Sequence, residues 1–570
     1  MGLIIKALIF LIFCTTCTFS DKIDSTKDGL QQEEATRRPL PWWLMMDRYK
    51  TIGIPNPTQL FPNSGKACIP IDGTVGEDNG QENAFWYFRE DLLVNAQHIF
   101  WHLTHPIMLD NPNGTLTNDR RGELFYYFHR NVLARYDAER LAKGFNRVVA
   151  LRYEEGAIVG QGYDPHFQEG TTEFTYPPRP SNMPFINITR FTRLWQTVYA
   201  DINNRMLIAR DGRFVALDDL KGIDYLGELI EASINNINED RYSFEGIHNA
   251  GHGHIGSMFN EGGNFTARGV MLNPSTSMRD PVFYQWHKLV DDIFYRHHSY
   301  MAPNHPTVGQ FPLLWQGVSV ESISVRAASS ESPNLLQTFF KNLTISIPIK
   351  QDIFMSNETI EYCMKRLEYD EFTYNITIEK QPSVNSEKAT VRVFMAPRFN
   401  EVGQRFSLDE QTRQFFAMDS FVVHLNYGKT VVTRNSSSSN LNLNWKLENW
   451  MDSPPSYEQP ECGCGWPSNL LLPTGNAQGM VFDLFVMVTN AEIDTPENLN
   501  LMQEPQCKMS TILCGIKDQK YPDIRPMGYP FDTKPFQVSV PGGPRMVANL
   551  EEYVSLLPNT KATQVTIRHS

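Results

Sequence analysis

Apolar positions along this chain follow two different periods, and the change between them falls near residue 310. Upstream they recur at three- and four-residue steps, the spacing of one helix face. The stretches FWYFREDLLVNAQHIFWHLTHP (85–106) and RRGELFYYFHRNVLARYDAERL (120–141) read as two helices joined by a turn-forming loop, DNPNGTLTND. RLWQTVYADINNRML and LGELIEASINNINED carry further helical patterns, and VVALRY reads as a strand. A Gly/Asn-rich loop over 260–276 leads into RDPVFYQWHKLVDDIFYRHH, where Pro281 suits a helix first turn. Downstream, LTISIPI, FTYNITIEK, ATVRVFMAP, DSFVVHLNY and GMVFDLFVMV alternate between apolar and polar and are separated by turn clusters. That alternation predicts an antiparallel β-sandwich. The expected fold is therefore α+β and multidomain, a helical domain over 85–305 followed by a β domain over 306–570.

At 570 residues the chain is too long for one core. Its 41% hydrophobic and 20% charged composition is that of a folded protein, and a net charge of −13 argues against nucleic acid as a partner. Residues 1–20, with Lys6 at the edge of an apolar run and Thr18 and Ser20 at its end, read as a secretory signal peptide. No later apolar run reaches the length of a membrane span. Residues 21–84 are polar and rich in Pro and Gly, and read as a loosely structured lead-in in which Arg37–Arg38 is a solvated basic pair.

Secretion makes disulfides the natural state of the cysteines outside the signal. Cys462, Cys464, Cys507 and Cys514 form a compact set able to make two bridges; whether Cys68 pairs with Cys363 is open. Asn-x-Ser/Thr sequons at Asn113, Asn187, Asn264, Asn342, Asn357, Asn375 and Asn435 fit a glycosylated extracellular protein.

The candidate chemistry lies in the helical half. His98 and His102 are four residues apart, which places two imidazoles about 40° apart on one helix face. His248 and His252 repeat the spacing, and each pair is followed by a single histidine on a later helix, His129 and His287. A four-helix bundle can converge six such side chains in its core. With no carboxylate or thiolate in the set, all-imidazole ligation points to copper or zinc; three imidazoles per ion, twice over, suits a copper pair that binds dioxygen. His105 and His254 fall off the ligand faces and read as packed or supporting residues. His297 and His298 end a helix, where a cation is electrostatically welcome.

REDLLVNAQHIFWHL, RGELFYYFHRNVLARYDAERL, IHNAGHGHIG and RDPVFYQWHKLVDDIF resemble the two copper regions of the arthropod hemocyanin/prophenoloxidase superfamily. ECGCGWPSNLLLPTGNAQGMVFDLFVMVTNAEID and CGIKDQKYPDIRPMGYPFD extend the resemblance through the β domain. It implies a type 3 centre of two copper ions held by His98, His102, His129, His248, His252 and His287. It also implies an immunoglobulin-like C-terminal domain and bridges Cys462–Cys507 and Cys464–Cys514. The superfamily holds dioxygen carriers and phenol oxidases. The CGCGWP and KYPDIRPMGYPFD segments look more like the oxidases; a signal peptide looks more like the carriers.

Three departures bear on function. The 64 residues at 21–84 are shorter than the family's N-terminal domain, which implies that a phenylalanine plug over the metals is missing. Gln97 stands where the family motif often has a histidine outside the ligand set. LNPSTS (272–277) has no acid to deprotonate a monophenol; Glu261 is the nearest acidic residue. The expectation is a secreted copper phenoloxidase that oxidises o-diphenols with dioxygen, with products feeding melanin or cross-linking. A dioxygen carrier is the alternative, and the oligomeric state is open. Asn249, beside His248, is a candidate for orienting a water that takes the phenol proton, or for a helix-terminal hydrogen bond. Phe283 is a candidate for stacking on an imidazole or substrate, against ordinary core packing.

Overall fold

The computed structural model describes residues 69–71, 80–107, 119–165, 167–169, 174–185, 188–258, 269–350, 355–443, 460–497, 499 and 509–570. The signal segment, Arg37–Arg38, Cys68, Glu261 and Cys507, with the sequons at Asn113, Asn187 and Asn264, lie outside these residues.

Among the described residues, the longer helices of the first half are α1 (Leu92–Thr104), α2 (Arg121–Ala142), α3 (Thr189–Asn203), α4 (Gly222–Ile230), α5 (Gly246–Gly256) and α6 (Pro281–His298). The run expected to form the first helix is split. A short turn of helix, Trp86–Arg89, ends at Glu90, and α1 starts afresh behind Asp91, whose carboxylate accepts from the Leu93 and Val94 amides at 2.8 and 3.0 Å. Glu90 is used elsewhere: its carboxylate pairs with Arg279 at 2.5 Å and accepts from the Tyr163 hydroxyl at 2.6 Å. At α6, Asp280 caps the Val282 amide and Pro281 takes the first turn, as the sequence predicts.

VVALRY is not a strand. Its amides bond to helices instead: Val148 donates to the Asp137 carboxylate at 2.7 Å, and Leu151 to the Gln285 carbonyl at 3.0 Å. LGELIEASINNINED is helical as far as Ile230 and again from Glu239, and the side chains between compete for the backbone: Ser233 Oγ accepts from Asn235 and Asn236 Oδ1 from Asn238, both at 3.0 Å.

Among the described residues of the second half, the two larger sheets use β2 (Val318–Ala327), β3 (Leu335–Lys350), β4 (Met355–Tyr369), β5 (Phe372–Lys380), β6 (Lys388–Pro397), β7 (Phe416–His424), β8 (Gly428–Asn435), β9 (Met480–Asn490) and β10 (Thr560–His569), and a separate hairpin pairs Gln537–Val540 with Gly543–Met546. A further strand, β1 (Ile69–Ile71), comes from the segment expected to be a loose lead-in. The larger sheet has the order β1-β4-β3-β10-β9-β6-β7, and the smaller β8-β5-β2. On β5, Phe372, Tyr374, Ile376 and Ile378 are buried, the inward half of the predicted alternation. The sheet is mixed rather than purely antiparallel, since β1 runs parallel to β4 and β10 parallel to β3. Both arrive by long connections, and a parallel neighbour requires a crossover rather than a hairpin.

α2 is buried along nearly its whole length, from Arg121 to Glu139, because it lies between the histidines and the β domain. Its charged residues find partners in that domain: Arg135 donates to the carbonyls of Leu471 (2.9 Å) and Ala417 (2.7 Å), and the Glu139 carboxylate accepts from the Thr474 amide at 3.1 Å. α1 leans on the same domain. Trp101 donates to the Leu513 carbonyl at 3.0 Å, and Asn469 donates to the Asp91 carboxylate at 3.2 Å. Cys464 and Cys514 are bridged, as the resemblance implies, and Cys462 and Cys363 each take part in a disulfide, not with one another.

α2 and α4 cross with their backbones in contact. A Cβ built on Gly227 would lie 2.0 Å from the Gly122 carbonyl oxygen. Such a clash with backbone has no rotamer escape, so Gly227→Ala should cost at least about 2 kcal/mol, measured as a lowered unfolding midpoint. Burial, then the neighbouring Glu228 carboxylate, push the Asp224 carboxyl at this crossing up to about 7. A carboxyl raised in the folded state takes up a proton on folding. It therefore favours the fold most below its unfolded value and loses that contribution as pH rises through about 7. Asp224→Asn, which keeps an acceptor for the Glu123 amide, should leave the midpoint unchanged at pH 4 and raise it at pH 8.

Candidate metal centre

The six histidines singled out above converge. His98 and His102 stand on α1, His129 on α2, His248 and His252 on α5, and His287 on α6. Ring centroids are 4.8 Å apart for His98–His102, 4.4 Å for His248–His252 and 5.0 Å for His248–His287. Between the halves, His129 stacks on His287 at 4.7 Å and 13°. Five rings are buried, and His102 is the exception at 15% side-chain exposure.

Every ring is oriented by an oxygen at Nδ1. His129 and His287 face the carbonyls of Phe125 and Phe283, four residues back on their own helices, both at 2.8 Å. His98 and His252 face the carbonyls of Pro274 and Met271, both at 2.7 Å. Those two carbonyls belong to the loop containing LNPSTS, which thus holds one imidazole from each half. His102 and His248 face Glu231: Oε1 lies 3.5 Å from His102 Nδ1 and Oε2 2.5 Å from His248 Nδ1. Asn249 Oδ1 also lies 2.9 Å from His248 Nδ1.

With Nδ1 carrying the proton, each Nε2 is left as a lone pair. His98 and His102 bring theirs within 3.1 Å of each other, and His248 and His287 within 3.0 Å. The Nε2 atoms of His129 and His252 are buried without a hydrogen-bond partner. Two imidazole lone pairs at 3 Å repel unless a cation sits between them, and buried nitrogens without partners are costly. Burial, then neighbouring imidazoles, hold His98, His129 and His287 well below the usual histidine range; the same two causes act on His252. Burial alone would raise the Glu231 carboxyl, but His248 and His102 outweigh it and hold it well below the usual carboxylate range. The set thus presents Nε2 lone pairs over one buried carboxylate, which fits a soft or borderline cation.

The donor atoms of His98, His102 and His129 lie within 4.8 Å of one another, as do those of His129, His248 and His287. The second grouping puts His129 where helix pairing expects His252. The stacked pair His129–His287 brings the halves into contact, so proximity alone does not divide them. The partnerless Nε2 of His252, 5.2 Å ring to ring from His287, keeps it in the donor set.

Other expectations fare unevenly. Asn249 stands on the Nδ1 side of His248, a position that orients the ring rather than meets a substrate. Phe283 does reach the centre: its ring lies 3.8 Å from His287, 5.2 Å from His98 and 6.0 Å from His252. His254 is exposed beside Tyr153, and His105 packs 4.7 Å from Trp101. His297 and His298 are not cations at a helix end. Both are buried, and burial, then Arg130, pushes His298 down to about 3. Gln97 is fully buried. Glu231 was not singled out by sequence reasoning. Its one signal is an acid closing an apolar helical run, in a stretch where the helical period predicted more helix.

A buried cluster of six imidazoles from four helices, backed by a β-sandwich, defines a candidate dinuclear metal centre. Residues 28–294 match the family described as "Hemocyanin, copper containing domain", and residues 310–569 match "Hemocyanin, ig-like domain". The chain is 33% identical over 470 residues to hemocyanin F chain of Aphonopelma sp., covering 79% of this chain and 71% of that protein. It is 34% identical over 525 residues to phenoloxidase 3 of Drosophila melanogaster, covering 88% of this chain and 72% of that one. A scorpion hemocyanin structure superposes with a TM-score of 0.76 at 27% identity (100% of this chain, 86% of that chain). A crustacean hemolymph-type prophenoloxidase superposes at 0.75 and 27% (94% and 77%). The chain belongs to the arthropod hemocyanin/prophenoloxidase superfamily, whose copper domain holds two copper ions. Among the described residues no helix is long and apolar enough to cross a membrane.

His252→Ala removes the donor whose Nε2 has no hydrogen-bond partner and leaves the close approach of His248 to His287 in place. It should leave about one tightly held copper per chain, against two for the unaltered protein, counted by elemental analysis after dialysis.

Proposed function

We propose that His98, His102 and His129 hold one copper and His248, His252 and His287 the other, in a secreted phenoloxidase that converts o-diphenols to o-quinones. The observation that supports the oxidase reading over the carrier is a small difference in extent of similarity: the phenoloxidase 3 relatives of Drosophila erecta and Drosophila melanogaster align with 91% and 88% of this chain, against 79% to 85% for the hemocyanin chains of Aphonopelma sp. at nearly the same identity.

The copper pair supplies two-electron oxidation with dioxygen as acceptor: two o-diphenols and one dioxygen give two o-quinones and two waters. This chain's residues do the rest. The six Nδ1 contacts fix the donors before substrate arrives, so no reorganisation is needed during the reaction. Phe283, in contact with imidazoles of both halves, offers a flat wall on which a phenol ring stacks. His102, the one partly exposed ring, marks the side on which the centre meets solvent. Glu261, which lies outside the described residues, is the remaining candidate for taking a phenol proton from a monophenol. LNPSTS does not supply that base, since it contains no acidic side chain.

The copper-loaded protein is placed under oxygen, the near-ultraviolet absorption is followed, and dopamine and tyrosine are then added separately. A band with rapid dopamine oxidation and slow or no tyrosine oxidation is expected. A band without quinone identifies a dioxygen carrier, and no band overturns the copper assignment.

A further inference from the structure

We infer that Glu231 is the shared positioning residue of the two metal sites: one carboxylate, placed just past the end of α4, orients one imidazole of each copper set. This rests on the two-copper centre and not on the oxidation of phenols.

The six Nδ1 contacts fall into three matched kinds. One ring in each half faces its own helix (His129, His287), and one faces the loop carbonyls of Pro274 and Met271 (His98, His252). The third ring in each half, His102 or His248, has no backbone carbonyl at Nδ1 and depends on a side chain. For both, that side chain is Glu231, at 3.5 and 2.5 Å through its two different oxygens. For His248 the aligned hydrogen bond goes to Asn249 Oδ1, while Glu231 Oε2 stands beside the same nitrogen as a charge contact. The two rings so addressed stack 6.2 Å apart and nearly parallel, 10° between planes, with the carboxylate on their outer edge.

Local structure delivers the carboxylate to that edge. α4 ends at Ile230, and Glu231 is extended, with φ −83° and ψ 145°, which turns it out of the helix. The backbone contact of Gly122 and Gly227 sets α4 hard against α2. The buried Arg121 guanidinium is 3.9 Å from Glu231 Oε1 and 3.3 Å from Glu228, so the acid enters the interior with a cation beside it. A carboxylate beside Nδ1 favours the proton there, which leaves Nε2 free for metal and makes it a better donor. Because Glu231 does this for one ligand of each set, its loss should weaken both sites together.

The test uses the full chain loaded with copper. Release into excess chelator is followed for the unaltered protein, Glu231→Gln, Glu231→Asp and the control Glu228→Gln, which alters a neighbouring acid on α4 that touches Arg121 but none of the six imidazoles. Unfolding midpoints of the metal-free proteins report folding separately. Glu231→Gln is expected to release both coppers at least about 10-fold faster, and Glu228→Gln within about twofold of the unaltered rate. Glu231→Asp keeps the charge but draws it back, so it should give up first the copper of the more distant partner, His102, and release should become two-phased. Unchanged release in Glu231→Gln and Glu231→Asp overturns the inference. So does acceleration confined to one copper in Glu231→Gln, or equal acceleration in Glu228→Gln. Were Glu231→Gln not to fold, Glu231→Asp against Glu228→Gln decides it alone. The readout is metal release, so it stands whether the protein oxidises phenols or only carries dioxygen.

Discussion

The centre depends on a proton assignment. Six imidazoles can serve as metal donors together only if each keeps its proton on the same nitrogen, and each does so because an oxygen waits at Nδ1. Remove those acceptors and a buried imidazole can turn or change tautomer, and the cage becomes a set of mutually repelling lone pairs. Most of what surrounds the site follows from supplying these oxygens. Two come from helical geometry at no added cost, since a histidine can reach the carbonyl four residues back. Two need a loop to pass behind the rings, which explains why 269–280 is packed tightly and tied down by Arg279 to Glu90. The last two need a charge.

Burying that charge shapes the helical half. Glu231 cannot enter an apolar interior alone, so Arg121 enters with it, and Glu228 follows to share the cation. Three buried ions require that α2 and α4 approach closely, and Gly122 and Gly227 permit it. Asp224 is the residue of this arrangement: an acid without a good cation, left protonated near neutrality by the crowding.

The six converging histidines were legible in the sequence because helical chemistry repeats at fixed spacing: His98/His102 and His248/His252 are readable as pairs whatever surrounds them. The sandwich was legible through alternation, as on β5, where every second residue from Phe372 is buried. What stayed hidden depends on contacts distant in the chain. Nothing local marks Glu231, since its partners are 129 residues upstream at His102 and 17 downstream at His248. The split at Glu90–Asp91 was hidden for the same reason, its cause being Arg279 and Tyr163. VVALRY has strand composition but is held by Asp137 and Gln285, and the two parallel strand pairs depend on where distant ends of the chain return. His297 and His298 misled because position on a helix was weighed without burial, and burial wins.

Phe100 and Trp101, on the back of the helix that carries His98 and His102, meet the β domain directly. A Cβ on Gly463 would fall 2.3 Å from the Phe100 ring, and Trp101 is bonded beside Cys514. The bridged segment around Cys464 and Cys514 is therefore a wall of the metal chamber, not a remote appendage. An excised helical half would expose two large aromatic rings and lose the support behind one ligand pair. The two halves of this chain are architecturally distinct but do not form separable modules. Changes in the sandwich loops would reach the metals through α1 without altering a single ligand.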